Sequence, residues 1–449
     1  MPPCQAVTAD GPAQDGIPDD RAAMMLQLKS VLRMDKLKAV IPKECFEKSL
    51  PKSLFYMFRD FALIAGLQWL YPRYVEGNWP LTLLWWNAVG FIMWALFVVG
   101  HDCGHTTFSN YPVVNAICGH ICHAPLMVPF WPWAKSHHQH HMYHNHVEKD
   151  MSFPWFRQEE YDQTVSGMAK FILKTPIHPF FSYTISYLFL GYWDGSHFNP
   201  LSSVLFWNPR EKIQAAVSVS AVVAWLYLVI VVVGECNWSM LTMRYFVPWA
   251  IYNYWLVMVT YMQHHEPDTV TYDDSDYNFA VAAMETIDRT YGWGLDDVHH
   301  NITDGHVVHH LFFTKIPHYN LKKATDALSP KLKELGVYKR QYNPNFLWLF
   351  IRYNYELGLI THSKAQDKWF PPKPVQEISF DQVKAKVLKS VDPSLPLCNL
   401  LPEHYIGLGL RVVGGVVSQC KGMGEKSPPL LFLCSLLSWS SAAASVLRV

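Results

Sequence analysis

The chain has 449 residues, and its 37 Lys and Arg balance 37 Asp and Glu, so the net charge is zero with the histidines neutral. Half of the residues are hydrophobic and only 16% are charged, against roughly 25% charged in a typical soluble domain. Nothing here suggests a nucleic-acid partner, and the scarcity of charge argues against an ordinary soluble protein.

Residues 1–36 read as a polar tail. Asp10, Asp15, Asp19 and Asp20 fall where a signal peptide would have its apolar core and where an organellar transit peptide avoids acids. A first apolar run, Leu54 to Pro72, is interrupted by Arg59 and Asp60, whose charges suit an interfacial end. Pro80 to Gly100 is uncharged, has the roughly 20 residues a membrane helix needs, and leads straight into His101-Asp-Cys-Gly-His105. Tyr111 to Trp133 is apolar too, but Pro112, Pro125, Pro129 and Pro132 favour a broken, re-entrant or interfacial path over a straight helix. It delivers the chain to His137-His138-Gln139-His140-His141.

Phe180 to Gly191 reads as interfacial. Ala215 to Gly234 is free of charge and is the clearest span, and Tyr245 to Gln263 is more polar but long enough. His264 and His300 follow, then His306-Val-Val-His309-His310. Residues 393–449 form a tail of unclear structure. Its last stretch, from Leu430, is apolar and serine-rich, and reads as a fifth span, an interfacial tail or an atypical chain end.

A lone histidine on an apolar face is usually a satisfied structural residue. Here nine of the 22 histidines fall inside three boxes of five residues, eight of them at helix-compatible spacing. On helices, positions i, i+3 and i+4 share a face, so the boxes present two, three and three ring nitrogens. That is too many for one ion and enough for two. Neutral imidazoles crowded together are stabilised by a shared cation, whereas protonated ones repel.

Four crossings place the boxes on one side, because two precede box one and two separate box two from box three. An odd number would hold ligands about 30 Å apart across hydrocarbon. Lys29, Lys36, Lys38, Lys43, Lys149, Lys170, Lys315, Lys322 and Lys323 lie on the box side, against Arg73 and Arg244 opposite, so the boxes and the N-terminus are expected to be cytosolic. Endoplasmic reticulum membrane is the expected address. The nine cysteines require no disulfide in that compartment. Cys118-Gly-His-Ile-Cys122-His123 has one residue too many between its cysteines for c-type haem attachment and reads as packing.

The three boxes, in this order and with these spans between them, resemble the membrane fatty acyl desaturase family, and within it the methyl-end group of delta-12 and omega-3 desaturases. Ile41-Pro-Lys-Glu-Cys-Phe46, Tyr261-Met-Gln-His264, Thr286-Ile-Asp-Arg289, His300-Asn-Ile-Thr-Asp304 and Pro317-His-Tyr319 extend the likeness, which runs from about Leu37 to Asp392. It implies an all-α integral membrane protein, with four transmembrane helices and a helical cytosolic cap around a dinuclear metal site, over a domain of residues 37–392. It also implies two iron ions and an oxygen-dependent insertion of a cis double bond into a long acyl chain. Imidazole alone suits iron, zinc, copper and nickel alike; the resemblance selects iron.

By the same resemblance His101, His105, His137, His140, His141, His306, His309 and His310 are the ligands, with a further one from His264, which is favoured, or His300. His138, His144 and His146 crowd box two as residues beside the ligands or as solvated ones. Asp304 first, then Asp102, Asp150 and Asp288, are candidates to orient ligand rings, or else capping or solvated residues.

The expected substrate is a long-chain fatty acyl group drawn from the lipid bilayer. With no flavin or haem motif and no fused cytochrome domain, the resemblance implies electrons from a separate cytochrome b5 and its NADH-dependent reductase. A hydroxylase, conjugase or acetylenase of the same superfamily would keep all eight histidines. A membrane metal transporter would normally place ionisable residues inside its spans, whereas these histidines lie outside the apolar runs.

Overall fold

A computed structural model describes residues 28–153, 161–163, 165–191, 194–266 and 269–356. The C-terminal tail, 393–449, and most of the N-terminal tail lie outside the described residues. The fold is mostly helical. Its centre is α2, Trp79–Gly104, preceded by α1, Leu50–Leu70. Asn78 caps α2 by accepting from the Leu81 amide at 3.2 Å, and Pro80 sits in its first turn, where a missing N–H costs nothing. From Val89 to Cys103 every residue of α2 is buried. A helix apolar on all sides is buried on all sides, and the neighbours here are α1, α3, Pro112–His123, and α6, Val247–His264. At the crossing with α6, Gly90 leaves no room for a side chain, since a Cβ there would lie 2.7 Å from Ile251 Cγ2.

The proline-rich stretch after box one is broken, as its composition suggests. Pro112–Leu126 and α4, Phe130–Met142, meet at 98°, with Met127 in the left-handed region at φ 58°. The Phe130 ring packs onto Gly119, where a Cβ would come within 2.2 Å. That bend turns α4 back beneath the end of α2. Helix α5, Pro209–Tyr227, winds on to Val233 and packs against α4. Many of its apolar side chains are exposed, among them Ile213, Val217, Val223 and Val232.

Among the described residues, two helices are long and apolar enough to cross a membrane, Trp79–Gly104 and Pro209–Val233. A third crossing is possible only if the bent pair counts as one span. The expected spans at 54–72 and 245–263 do form the long helices α1 and α6, but fall short of that standard. Lys52, Arg59 and Asp60 interrupt α1, and α6 mixes Asn253, Gln263 and His264 with tyrosines and tryptophans over 18 residues.

Beyond α6 come a short helix α7, Phe279–Ala283, strand β1, Asp288–Thr290, and α8, His306–Phe312, which is buried throughout. Then follow α9, His318–Glu334, strand β2, Arg340–Tyr342, and α10, Phe346–Glu356. The strands pair in parallel, Asp288 with Arg340 and Thr290 with Tyr342. In α9, Leu321, Ala324, Leu328 and Leu332 point inward while Lys322, Lys323 and Lys333 ride outside.

Candidate metal centre

The boxes lie at three helix ends that the fold brings together: the C-terminus of α2, the C-terminal half of α4 and the whole of α8. Their ring nitrogens gather into two groups. In the first, His101, His105, His137, His141 and His309 each offer a nitrogen within 4.8 Å of the others. The Nε2 atoms of His101 and His105, of His137 and His141, and of His141 and His309 are each 3.1 Å apart. In the second, His140, His264 and His310 meet the same limit, and His306 Nε2 lies 3.1 Å from His264 Nε2. The groups adjoin where the rings of His141 and His310 stand 4.1 Å apart.

Helices α4 and α8 divide their ligands in complementary fashion. The i, i+4 pair of α4, His137 and His141, faces the first group and His140 the second; in α8 the pair His306 and His310 faces the second and His309 the first. One helix face therefore cannot serve one group alone.

The donor set fits metal ions. Two nitrogens bound at right angles about 2.1 Å from one ion are about 3 Å apart, close to the separations seen here. A neutral imidazole has a single N–H, so His141 Nε2, facing two other Nε2 atoms, is poorly served by hydrogen bonds alone. Buried polar atoms normally find partners, yet among the described residues both ring nitrogens of His310 and the Nδ1 atoms of His105, His141 and His306 have none. Burial, reinforced by neighbouring histidines, holds His306, His309 and His310 well below the ordinary imidazole range. They are therefore neutral at pH 7, as ligation requires.

Of the two candidates outside the boxes, His264 joins the second group, at the C-terminus of α6. His300 joins neither. Its Nε2 bonds the Asp60 carboxylate at 2.8 Å, and burial followed by nearby His318, against the opposing pull of Asp60, brings it down to about 4.

What holds His264 in place is a set of contacts around Arg289, which is completely buried. Arg289 donates to the Met262 carbonyl and to Glu266, and at 2.8 and 2.7 Å to the side-chain oxygens of Gln341 and Asn343. Gln263 also donates to the Ile302 carbonyl at 2.7 Å, tying α6 to the loop before box three.

The acidic candidates separate clearly. Asp150 receives Nδ1 of His140 at 2.8 Å and so orients that ring. Asp304, favoured from the sequence, receives no box histidine among the described residues; it faces Arg340 at 3.5 Å, and burial, with Asp296 nearby, raises it to about 6. Asp102 accepts from the amide and Nδ1 of His318, at 2.9 and 2.8 Å, and is 3.7 Å from His101 Nδ1, so it pins box one to the start of α9. Asp288 accepts from the Val307 amide at 2.9 Å and from Tyr338 at 2.6 Å, fixing box three through its backbone.

His138 is exposed, and His146 bonds Asp274 at 3.1 Å. Around the groups, Trp133 stacks on His137 and Phe313 on His141, with ring centroids 4.7 and 4.6 Å apart. The Arg289 and His318 networks went unread in the sequence, although the Thr286–Arg289 and Pro317–Tyr319 segments were signals to both.

A family model described as fatty acid desaturase matches residues 77–343. The chain is similar to a Delta(12) fatty acid desaturase of Caenorhabditis elegans, 41% identical over 334 residues, covering 73% of this chain and 87% of the relative. It is likewise similar to an omega-3 fatty acid desaturase of the same organism, 36% identical over 345 residues, covering 76% and 84%. An sn-1 acyl-lipid omega-3 desaturase (ferredoxin) of Nostoc is 37% identical over 303 residues, covering 66% and 80%.

Proposed function

The chain belongs to the fatty acid desaturase family, and from that premise we propose that it inserts a cis double bond toward the methyl end of an already unsaturated long acyl chain, at the delta-12 or omega-3 position, on a phospholipid or a CoA carrier. The delta-12 and omega-3 names of its relatives support the regiochemistry. The observation that carries the proposal is the gathering of nine buried or half-buried histidines into two adjoining groups.

His101, His105, His137, His141 and His309 would hold one iron ion, and His140, His264, His306 and His310 the other. The bound pair would supply dioxygen activation, an oxidant strong enough for an unactivated methylene. The chain's own part is to bury and orient the nine imidazoles, with Asp150 aiming His140. Trp133, Phe153 and Phe313 wall the groups with aromatic faces that exclude water.

Reducing dioxygen to two waters takes four electrons, of which the new double bond releases two. The other two, with two protons, must come from a donor, which we assign to cytochrome b5 and its NADH-dependent reductase. The exposed Lys38 and Lys315, beside a cleft of about 460 Å³ next to boxes two and three, suit an acidic carrier.

The proposed setting is the endoplasmic reticulum membrane, with α1, α2, α5 and α6 as four crossings and the boxes cytosolic in a domain of residues 37–392. The exposed apolar side of α5 and the lysines of the box side support it. Expression in a host lacking polyunsaturated lipids, fed oleate and then linoleate, tests the reading by gas chromatography. New double bonds that vanish with His101→Ala are expected. An unchanged lipid profile, or a hydroxylated product, refutes desaturation.

A further inference from the structure

His144 lies three residues past box two, is buried, and belongs to neither nitrogen group. Its Nδ1 is 2.8 Å from the carbonyl oxygen of Ala282 in α7, and its Nε2 is 2.7 Å from Nδ1 of His264. A carbonyl oxygen can only accept, so a neutral His144 carries its proton on Nδ1 and presents Nε2 as an acceptor. His264 must then donate from Nδ1. Its other nitrogen, Nε2, is left with a free lone pair directed at the second group, 3.1 Å from His306 Nε2.

The arrangement answers a need peculiar to His264. Every other member of the two groups comes from a box on a shared helix, whereas His264 stands alone at the end of α6. A metal-bound imidazole ordinarily donates its second nitrogen to a fixed acceptor, which sets both tautomer and ring orientation. For His140 that acceptor is Asp150. For His264 it is another imidazole, itself locked by a backbone carbonyl that cannot change roles.

We propose that His144 is a positioning residue that fixes the tautomer of His264 and so makes it a ligand through Nε2, an inference that rests on the metal-centre reading above. The test titrates the purified full-length protein with ferrous iron in the absence of oxygen and compares His144→Leu, His144→Asn and His144→Gln. The glutamine amide can set an oxygen where Nε2 stands and accept from His264. The shorter asparagine amide reaches only Ala282.

The leucine and asparagine variants are expected to bind the second equivalent about 10–100-fold more weakly while the first is unchanged. The glutamine variant is expected to hold both as the unmodified protein does. Both substituted amides are polar, and glutamine is near the native volume, so this pair decides even where leucine does not fold. Undiminished binding in His144→Asn, or His144→Gln as weak as His144→Asn, overturns the proposal. An unmodified protein that takes up no iron overturns instead the metal-centre reading beneath it.

Discussion

Replacing Asp150 with asparagine or alanine strikes the second group at its support. Its carboxylate is buried and accepts four donors: His140 Nδ1 at 2.8 Å, and the amides of Asn145, Ser152 and Phe153 at 3.1, 3.0 and 3.3 Å. Asparagine has one acceptor oxygen and one amino group, so the amino group must face either the His140 side or the Asn145 amide. With the oxygen toward His140, one amide is left unsatisfied, costing about 1–3 kcal/mol of stability, and the ring keeps a neutral acceptor in place of a charged one. Alanine removes the acceptor altogether.

Loss of such a partner ordinarily weakens metal affinity about 10–100-fold, or about 1.4–2.7 kcal/mol at 1.4 kcal/mol per decade. Asp150→Asn should sit near the lower end and Asp150→Ala near the upper. The assay is anaerobic iron titration, with desaturation in a lipid-fed host measured alongside. If both variants take up the second equivalent with native affinity, the role given to Asp150 is wrong.

Three further outcomes follow from the contacts described. His264→Ala should lower iron content, whereas His300→Ala should retain it and lose only stability, about 1–3 kcal/mol from the buried Asp60 Oδ2 left without its donor while Arg59 still pairs with Oδ1; iron loss equal to that of His264→Ala would return His300 to the ligand set. Arg289→Met leaves Glu266 as an uncompensated buried charge, so a stability loss of about 3–5 kcal/mol is expected by denaturant titration, and a loss below about 1 kcal/mol would contradict the tie it forms. Burial raises Asp288 to about 7 against the opposing bonds of Tyr338 and Val307, so the folded chain holds that proton more tightly than the unfolded one. Its contribution is thus fully present at low pH and is lost as pH climbs from about 4 through 7. Asp288→Asn should flatten the fall of the unfolding midpoint across that range; an unchanged slope would refute the assignment.

The boxes were legible because i, i+4 spacing forces neighbouring rings onto one face whatever the fold around them. Their partition was not, since α4 and α8 each split three histidines between two groups, and only the mutual angle of the helices decides which way each ring turns. The sequence favours His264 over His300 but leaves both open. What separates them is the Arg289–Glu266 tie at the end of α6 and the Asp60 carboxylate waiting for His300. Asp304 lies closer in sequence to a box than Asp150 does, yet the turn after box two folds Asp150 back onto His140. Apolar runs announced α2 and α5. The mixed polarity of α1 and α6 blurs both, because each spends polar side chains on the site or on its neighbours. The paired three-residue strands were invisible, being too short to show alternation.

Those strands set an order of assembly during synthesis. β1 precedes box three and β2 follows it, so the last ligands sit in a loop that closes only when Arg340–Tyr342 pairs with Asp288–Thr290. A nascent chain that has just exposed His310 already owns every candidate ligand. It still lacks the Tyr338, Gln341 and Asn343 contacts that hold Asp288 and Arg289 in place. At about 5–20 residues per second, the ribosome must run on for seconds before those contacts exist. Loading of the proposed iron ions would therefore come late, and a chain terminated just after the third box would carry every candidate histidine without the β2 contacts that hold Asp288 and Arg289.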